Sequence, residues 1–302
     1  MLRKVVGLVL LIGLPYQTMA EEKPLQLMAS IKPLQLLVAA LIEEGDSVSL
    51  LLAPGQSPHD YQLKPSDRFA MNEAELLVWM GPSLERFLTK PVSLLPPAKR
   101  LSLLPEAEAI EEAGQHDEHD HHHHGEAIDD DPHRWLDPLQ AIAMAEQISQ
   151  QLVRLAPERQ AQWQANFQAF AQSMQALNQQ LQQQFSTKPK PYMVLHDAYG
   201  HFEARYGIRR LAALSISPER PPGAKHIWQL KQRISKGEVV CVFREPQYQP
   251  KILNSLLAGS DVRVGVLDPL ASAFSPSKKA FQAFLADFAK ALSDCLYANS
   301  EV

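Results

Sequence analysis

Four side chains in this sequence have the chemistry to hold one metal ion: His59, His133, His196 and Asp268. Imidazole is the commonest metal-binding side chain. Three imidazoles and one carboxylate form a donor set that tetrahedral Zn2+ accepts. The neutral nitrogens suit its borderline-soft character, and one carboxylate halves the charge to be buried. None of the four carries this reading alone, because a histidine at a strand end is as readily a hydrogen-bonded structural residue. Their common placement carries it. Each falls at the end of a strand-like stretch or in a loop beyond one, and α/β proteins bind ligands at the carboxyl ends of their strands.

The elements that must position them are legible in turn. Nothing polar interrupts 192–195, which predicts a buried strand ending on His196, with helix-compatible residues after Asp197. Earlier strands are expected at 25–31, 47–52 and 76–80, the last two read as buried, with helices at 33–44 and from Pro65, a proline tolerated in a first turn. His59 lies in the loop that follows the second strand after Pro54-Gly55. Residues 105–132 break this rhythm, and a histidine- and acid-rich loop at 113–131 carries His116, His119, His121, His122, His123 and His124. It has almost nothing to bury, so a surface loop is expected there. His133 follows it, before a helix at 137–156.

Between Pro157 and Phe185, Trp163, Phe167, Phe170, Met174, Leu177 and Leu181 recur at spacings of three and four. That is one helical stripe. Uninterrupted, the helix would run about 43 Å at 1.5 Å per residue. It divides the first block of β/α alternation from a second, with strands expected near 192–196, 211–216, 239–243 and 262–267 and a closing helix at 275–297. The last strand ends on Asp268-Pro269. Alternation of this kind predicts parallel sheets with right-handed crossovers. The expected architecture is therefore α/β: two lobes with parallel sheets, joined by one long connector helix, with the metal site in the cleft between them. In residue terms these are a signal segment at 1–20, a first lobe at 21–156, the connector at 157–186 and a second lobe at 187–302.

Bulk properties narrow the class. The 302 residues suffice for two domains with cores of their own. Arg3 and Lys4, the apolar run 5–14 and Thr18-Met19-Ala20 read as a cleaved export signal, too short to span a bilayer stably. Its removal takes two basic and no acidic residues, which moves the net charge from −5 to −7. Neither value suggests nucleic-acid or anionic-membrane binding. An exported chain with two cysteines, Cys241 and Cys295, points to one disulfide, with a two-cysteine zinc site as the competing reading. His201 and His226 fall in helical stretches and read as surface or capping residues. Trp135 and Tyr199 are expected to shield the site. Glu245, after a strand and before Pro246, is placed either to support a ligating imidazole from behind or to make a simple structural hydrogen bond.

The segments Ser57-Pro58-His59-Asp60-Tyr61, Pro132-His133-Arg134-Trp135-Leu136, His196-Asp197-Ala198-Tyr199-Gly200 and Leu267-Asp268-Pro269-Leu270 resemble the signatures of the ZnuA-type zinc-uptake binding proteins of ABC importers. The resemblance covers the whole chain after the signal. It implies a periplasmic protein that captures Zn2+ and delivers it to a membrane permease, without catalysis, nucleic acid or insertion into the membrane, and a monomer is expected. His59, His133 and His196 match the family's three zinc-binding histidines. Asp268 matches the carboxylate that completes the site in some members, where others use water or a glutamate just before the first histidine; here Pro58 closes the glutamate option. Cys241 and Cys295 match a disulfide of the second lobe. The histidine-acidic run at 116–124 resembles the family's metal-rich loop, either an auxiliary zinc site or a solvated loop that binds metal incidentally. Manganese members carry a glutamate where this chain has His196, so zinc is favoured over manganese or iron, and Mn2+ also prefers oxygen ligands. A secreted zinc hydrolase is the reading from another class. Against it, the chain has no HExxH helix and no obvious general base one turn from a ligand.

Overall fold

The computed structural model describes residues 23–104, 131–215, 222–247 and 252–297. The expected signal at 1–20 and the loop histidines His116, His119 and His121 to His124 lie outside the described residues.

The first lobe is built on β1 (Gln26–Ala29), β2 (Ser47–Leu50), β3 (Leu76–Trp79) and β4 (Arg100–Ser102), in the order β2-β1-β3-β4 with every pair parallel. Three helices connect them: α1 (Lys32–Leu41), α2 (Pro65–Glu73) and α3 (Thr89–Ser93). The sequence Leu-Leu-Val-Trp of β3 is buried throughout, as a central strand covered on both faces requires. β2 was expected to be buried and is not: its residues alternate between exposed and half-buried, because it forms the sheet edge. β4 had no sequence signal, being three residues long with two of them polar.

α4 (Pro138–Leu155) begins where Asp137 accepts the Leu139 N–H at 2.8 Å, an N-cap that satisfies one of the helix's orphan donors. The long helix α5 (Gln160–Gln184) has 25 residues, about 38 Å at 1.5 Å per residue. It starts three residues later than the apolar stripe suggests, since a 3-10 turn at Pro157–Arg159 precedes it. Arg159 is held there by two hydrogen bonds to Asp46 and by the ring of Trp163, 4.1 Å from its guanidinium carbon.

The second lobe repeats the topology. Its strands β5 (Tyr192–His196), β6 (Arg210–Ser215), β7 (Cys241–Arg244) and β8 (Arg263–Val266) lie in the order β6-β5-β7-β8, again all parallel. Around them pack α6 (Gly200–Tyr206), α7 (Ala224–Ser235), α8 (Ile252–Leu257) and α9 (Ala280–Tyr297). β8, like β2, is an edge strand with alternating exposure. Cys241 and Cys295 form a disulfide that ties β7 to α9.

The lobes share more than a connector. One apolar core runs continuously from α1 through α5 to α9, with Phe170 and Phe281 ring centroids 5.7 Å apart across the α5–α9 contact. A separate cluster around Met193, Leu195, Leu230 and Leu256 covers the outer face of the second sheet. Among the described residues no helix is long and apolar enough to cross a membrane.

Candidate metal centre

In each sheet the chain leaves the central strand in one direction and then crosses to its other side. The gaps between β1 and β3 and between β5 and β7 are therefore topological switch points, where open α/β sheets bind ligands. His196 is the last residue of β5, and Glu245 directly follows β7. Both stand at the switch point of the second lobe. His59 comes from the loop between β2 and α2, and His133 from the turn that leads into α4.

The structure brings the three histidines together across this cleft. Their ring centroids are 5.6 Å apart for His59–His133, 5.2 Å for His59–His196 and 5.0 Å for His133–His196. One ligand atom from each lies within 4.8 Å of the other two. Tetrahedral zinc, with Zn–N of about 2.0–2.1 Å, needs its nitrogens roughly 3.3 Å apart. A tightening on the order of 1.5 Å would bring the imidazoles to bonding distance of one zinc ion. They border a cavity of about 360 Å3 whose other walls include Ser57, Glu245, Gln247 and Leu270.

Both buried imidazoles are held from behind. Nδ1 of His133 is 2.7 Å from Asp131 Oδ1, which also accepts the His133 backbone N–H at 2.9 Å. Nδ1 of His196 is 3.1 Å from Glu245 Oε1, which accepts the Tyr199 hydroxyl at 2.9 Å. With Nδ1 engaged, Nε2 is left to face the cluster, and Nε2 of His196 is buried with no hydrogen-bond partner among the described residues. Burial pushes the His133 imidazole below the ordinary histidine value, and the Asp131 carboxylate offsets that only in part. The ring is thus neutral at pH 7, the form that can bind a metal. Asp131 itself loses solvation by burial, yet its hydrogen bonds to His133 outweigh that and hold it down at about 2.

Asp268 is not in the group. Its Oδ1 accepts from Gln247 Nε2 at 2.6 Å and from the Leu270 N–H at 3.0 Å, and its Oδ2 accepts from the Ser272 N–H at 2.6 Å. It shapes the turn after β8. Trp135 packs against His133 with centroids 5.1 Å apart and donates its indole N–H to the Pro269 carbonyl at 2.8 Å. His201 departs from the surface or capping role expected of it. It is buried, and its Nε2 donates to the Asp131 carbonyl at 2.8 Å. A helical stretch alone did not show that the face of α6 carrying it turns inward. His226, half-buried on α7, donates from Nε2 to the Ala213 carbonyl of β6 at 2.9 Å. Asp131 itself escaped the sequence reading, because it lay at the end of an acidic run in which no single carboxylate stood out.

Fold and donor set together define a two-lobed α/β protein with a cluster of three histidines in its cleft that could hold a metal ion. The family model described as "ZnuA: Zinc-uptake complex component A periplasmic" matches residues 27–295, and the chain belongs to that family. Proteins described as "High-affinity zinc uptake system protein ZnuA" are similar to it. The one from Yersinia pestis is 35% identical, over 86% of this chain and 87% of its own. That from Haemophilus ducreyi is 36% identical, over 86% and 89%. A solved structure described as "Crystal structure of ZnuA" superposes with a TM-score of 0.73 at 26% identity, covering 90% of this chain and 99% of its own.

Proposed function

We propose that this protein captures Zn2+ between its lobes and presents it to the permease of an ABC importer for zinc uptake. The observation that carries the reading is the convergence of His59, His133 and His196 on one point, in a chain matched by the zinc-uptake family over nearly its whole length. Family descriptions agree with an exported, periplasmic location, and we take residues 1–20 to be the cleaved export signal. The protein acts as a monomer and needs no catalytic step: capture is coordination, and release is its reversal when the permease parts the lobes. The core shared by α1, α5 and α9 supports a small closing motion over a wide hinge.

Three imidazoles are the fixed ligands in this reading. In this reading water fills the fourth position. Asp268 takes it only if it gives up its bonds to Gln247, Leu270 and Ser272. The histidine run at 116–124 collects metal at most as an auxiliary site.

A zinc titration of the exported form against a competing chelator tests this. One tight site should survive deletion of residues 115–124, and His196→Ala should weaken it by well over about tenfold. Loss of the tight site on deleting the loop would move the function out of the cleft.

A further inference from the structure

The segment that carries His133 belongs to the first lobe in sequence and caps α4 there through Asp137, yet several of its side-chain fastenings are in the second. Trp135 bonds the Pro269 carbonyl. Asp137 takes three hydrogen bonds from the Arg205 guanidinium on α6, at 2.7 to 3.0 Å. Nearest the site, Asp131 is held at both ends. Its carbonyl accepts from His201, and its carboxylate lies against the first residue of α6 so closely that a Cβ added to Gly200 would stand 2.9 Å from Oδ2. Oδ1 of the same carboxylate meets both the ring and the backbone N–H of His133.

We infer that Asp131, seated on α6 by Gly200 and His201, is the positioning residue that sets the tautomer and aim of His133 for zinc capture. The chemistry is simple. A carboxylate on Nδ1 keeps the proton there, so the lone pair is on Nε2, and it fixes the ring's rotation about the Cβ–Cγ bond. Gly200 is needed for a reason separate from the backbone. A Cβ there would crowd the carboxylate, at 2.9 Å from Oδ2. His201 contributes from the opposite end by anchoring the carbonyl of the same residue. Three residues, none a ligand, thus decide where one ligand points. They also make His133 a mechanical part of the second lobe, beside His196.

The inference rests on the zinc reading, so the test has one arm that needs no zinc. In metal-free protein, long-range 1H–15N spectra should show His133 protonated on Nδ1. Asp131→Asn should shift it toward a mixture of tautomers, with the fold intact by circular dichroism. An unchanged His133 signature in Asp131→Asn overturns the proposal. The second arm is a chelator-competition titration with zinc. Asp131→Asn should weaken binding by roughly 10- to 100-fold, the usual range for removing such a partner. Gly200→Ala should weaken it by about fivefold or more in the native background and not at all in Asp131→Ala, where the carboxylate it displaces is gone. Equal effects of Gly200→Ala in both backgrounds, or an Asp131→Asn affinity within about threefold of native, would refute the role assigned to Asp131. If instead the native protein shows no tight zinc site, the functional reading fails, and the tautomer arm still judges the positioning role.

Discussion

His59 and His133 both belong to the N-terminal half of the chain, but the molecule treats them differently. His59 sits half-exposed in the long loop between β2, an edge strand, and α2. His133 is 3% exposed, backed by Asp131 and fastened through Asp131, Trp135 and Asp137 to the second lobe. Sequence order divides the three ligands as two and one in favour of the first lobe. Mechanics divides them as one and two in favour of the second. The lesson is that a cleft site need not be split where the chain is split. If the side-chain fastenings outweigh the α4 connection, a parting of the lobes moves His59 relative to His133 and His196, whose rings lie 5.0 Å apart.

The largest expected effect tests that division. Removing His133 or His196 leaves a buried carboxyl facing a hole, so either alanine variant should lose zinc affinity by about a thousandfold or more, ~4 kcal/mol. His59 borders the open cavity, where water can replace an imidazole, so His59→Ala should lose roughly tenfold to a hundredfold. Chelator-competition titrations of the three variants decide the matter. Equal losses would mean that the half-exposed loop is as rigid as the clamped pair.

Next is a difference between the lobes in covalent support. Only the second has a disulfide among the described residues, and the bond spans 54 positions from β7 to α9. In the chain-entropy account such a loop is worth at most about 4 kcal/mol. Replacing Cys241 and Cys295 by serine should lower stability in urea by about that much. Zinc affinity should stay within a few fold of native, because β7 and β5 still pair through Met193 and Val194. A large loss of affinity would show that the frame of His196 and Glu245 depends on the bridge.

Each lobe also buries one glutamate whose carboxyl burial raises to about 7: Glu85, and Glu203, where Arg210 offsets part of the effect. A carboxyl with a folded value above its unfolded value of 4.5 stabilises the protein at low pH. That contribution is complete below about pH 4.5 and is lost as pH rises through 7. The shift corresponds to about 3 kcal/mol for each group. His133, held low by burial, acts in the opposite sense below its ordinary value of 6.5. Comparison with Glu85→Gln and Glu203→Gln therefore isolates the carboxyls. Urea unfolding of the metal-free protein between pH 5 and 8 should show a flatter slope in each variant than in native protein. The two variants should flatten it to a similar extent, since both carboxyls are raised to about 7. An unchanged slope in both would mean that these carboxyls ionise freely in the fold.

The contrast between loop and clamp also explains what could be read from the sequence. The central strands, the α5 stripe and the strand-end position of His196 were legible, since uninterrupted apolar runs and helical spacing are local properties. The three histidines were legible because motif and placement agreed. The edge strand β2 was misjudged as buried, because Ser47–Leu50 belongs to a stretch apolar enough to look central while its exposure depends on strand order. The inward turn of His201 and the role of Asp131 were hidden for a similar reason. Both depend on how α6 docks against a segment some 70 positions earlier, and no pattern within either stretch records that.

The smallest expected effect concerns Asp268, which motif matching places with the ligands and geometry places beside them. Its two oxygens accept three hydrogen bonds that shape the turn from β8 to Ser272, and Gln247, one of the donors, also lines the cavity. Asparagine keeps close to the same volume and one acceptor oxygen, so the turn loses at least one of its three bonds and the ligand geometry is unchanged if the role is structural. Asp268→Asn should then change zinc affinity by less than about threefold, under ~0.7 kcal/mol. It should also leave the d–d spectrum of the cobalt-loaded protein unaltered, since the donors around the metal are the same. A ligating Asp268 gives the opposite result on both counts. The affinity would fall toward the loss seen for His59→Ala, and the cobalt bands would shift as an anionic oxygen is exchanged for a neutral one. That outcome would make the second lobe supply the fourth ligand as well, leaving His59 as the only donor that moves with the first.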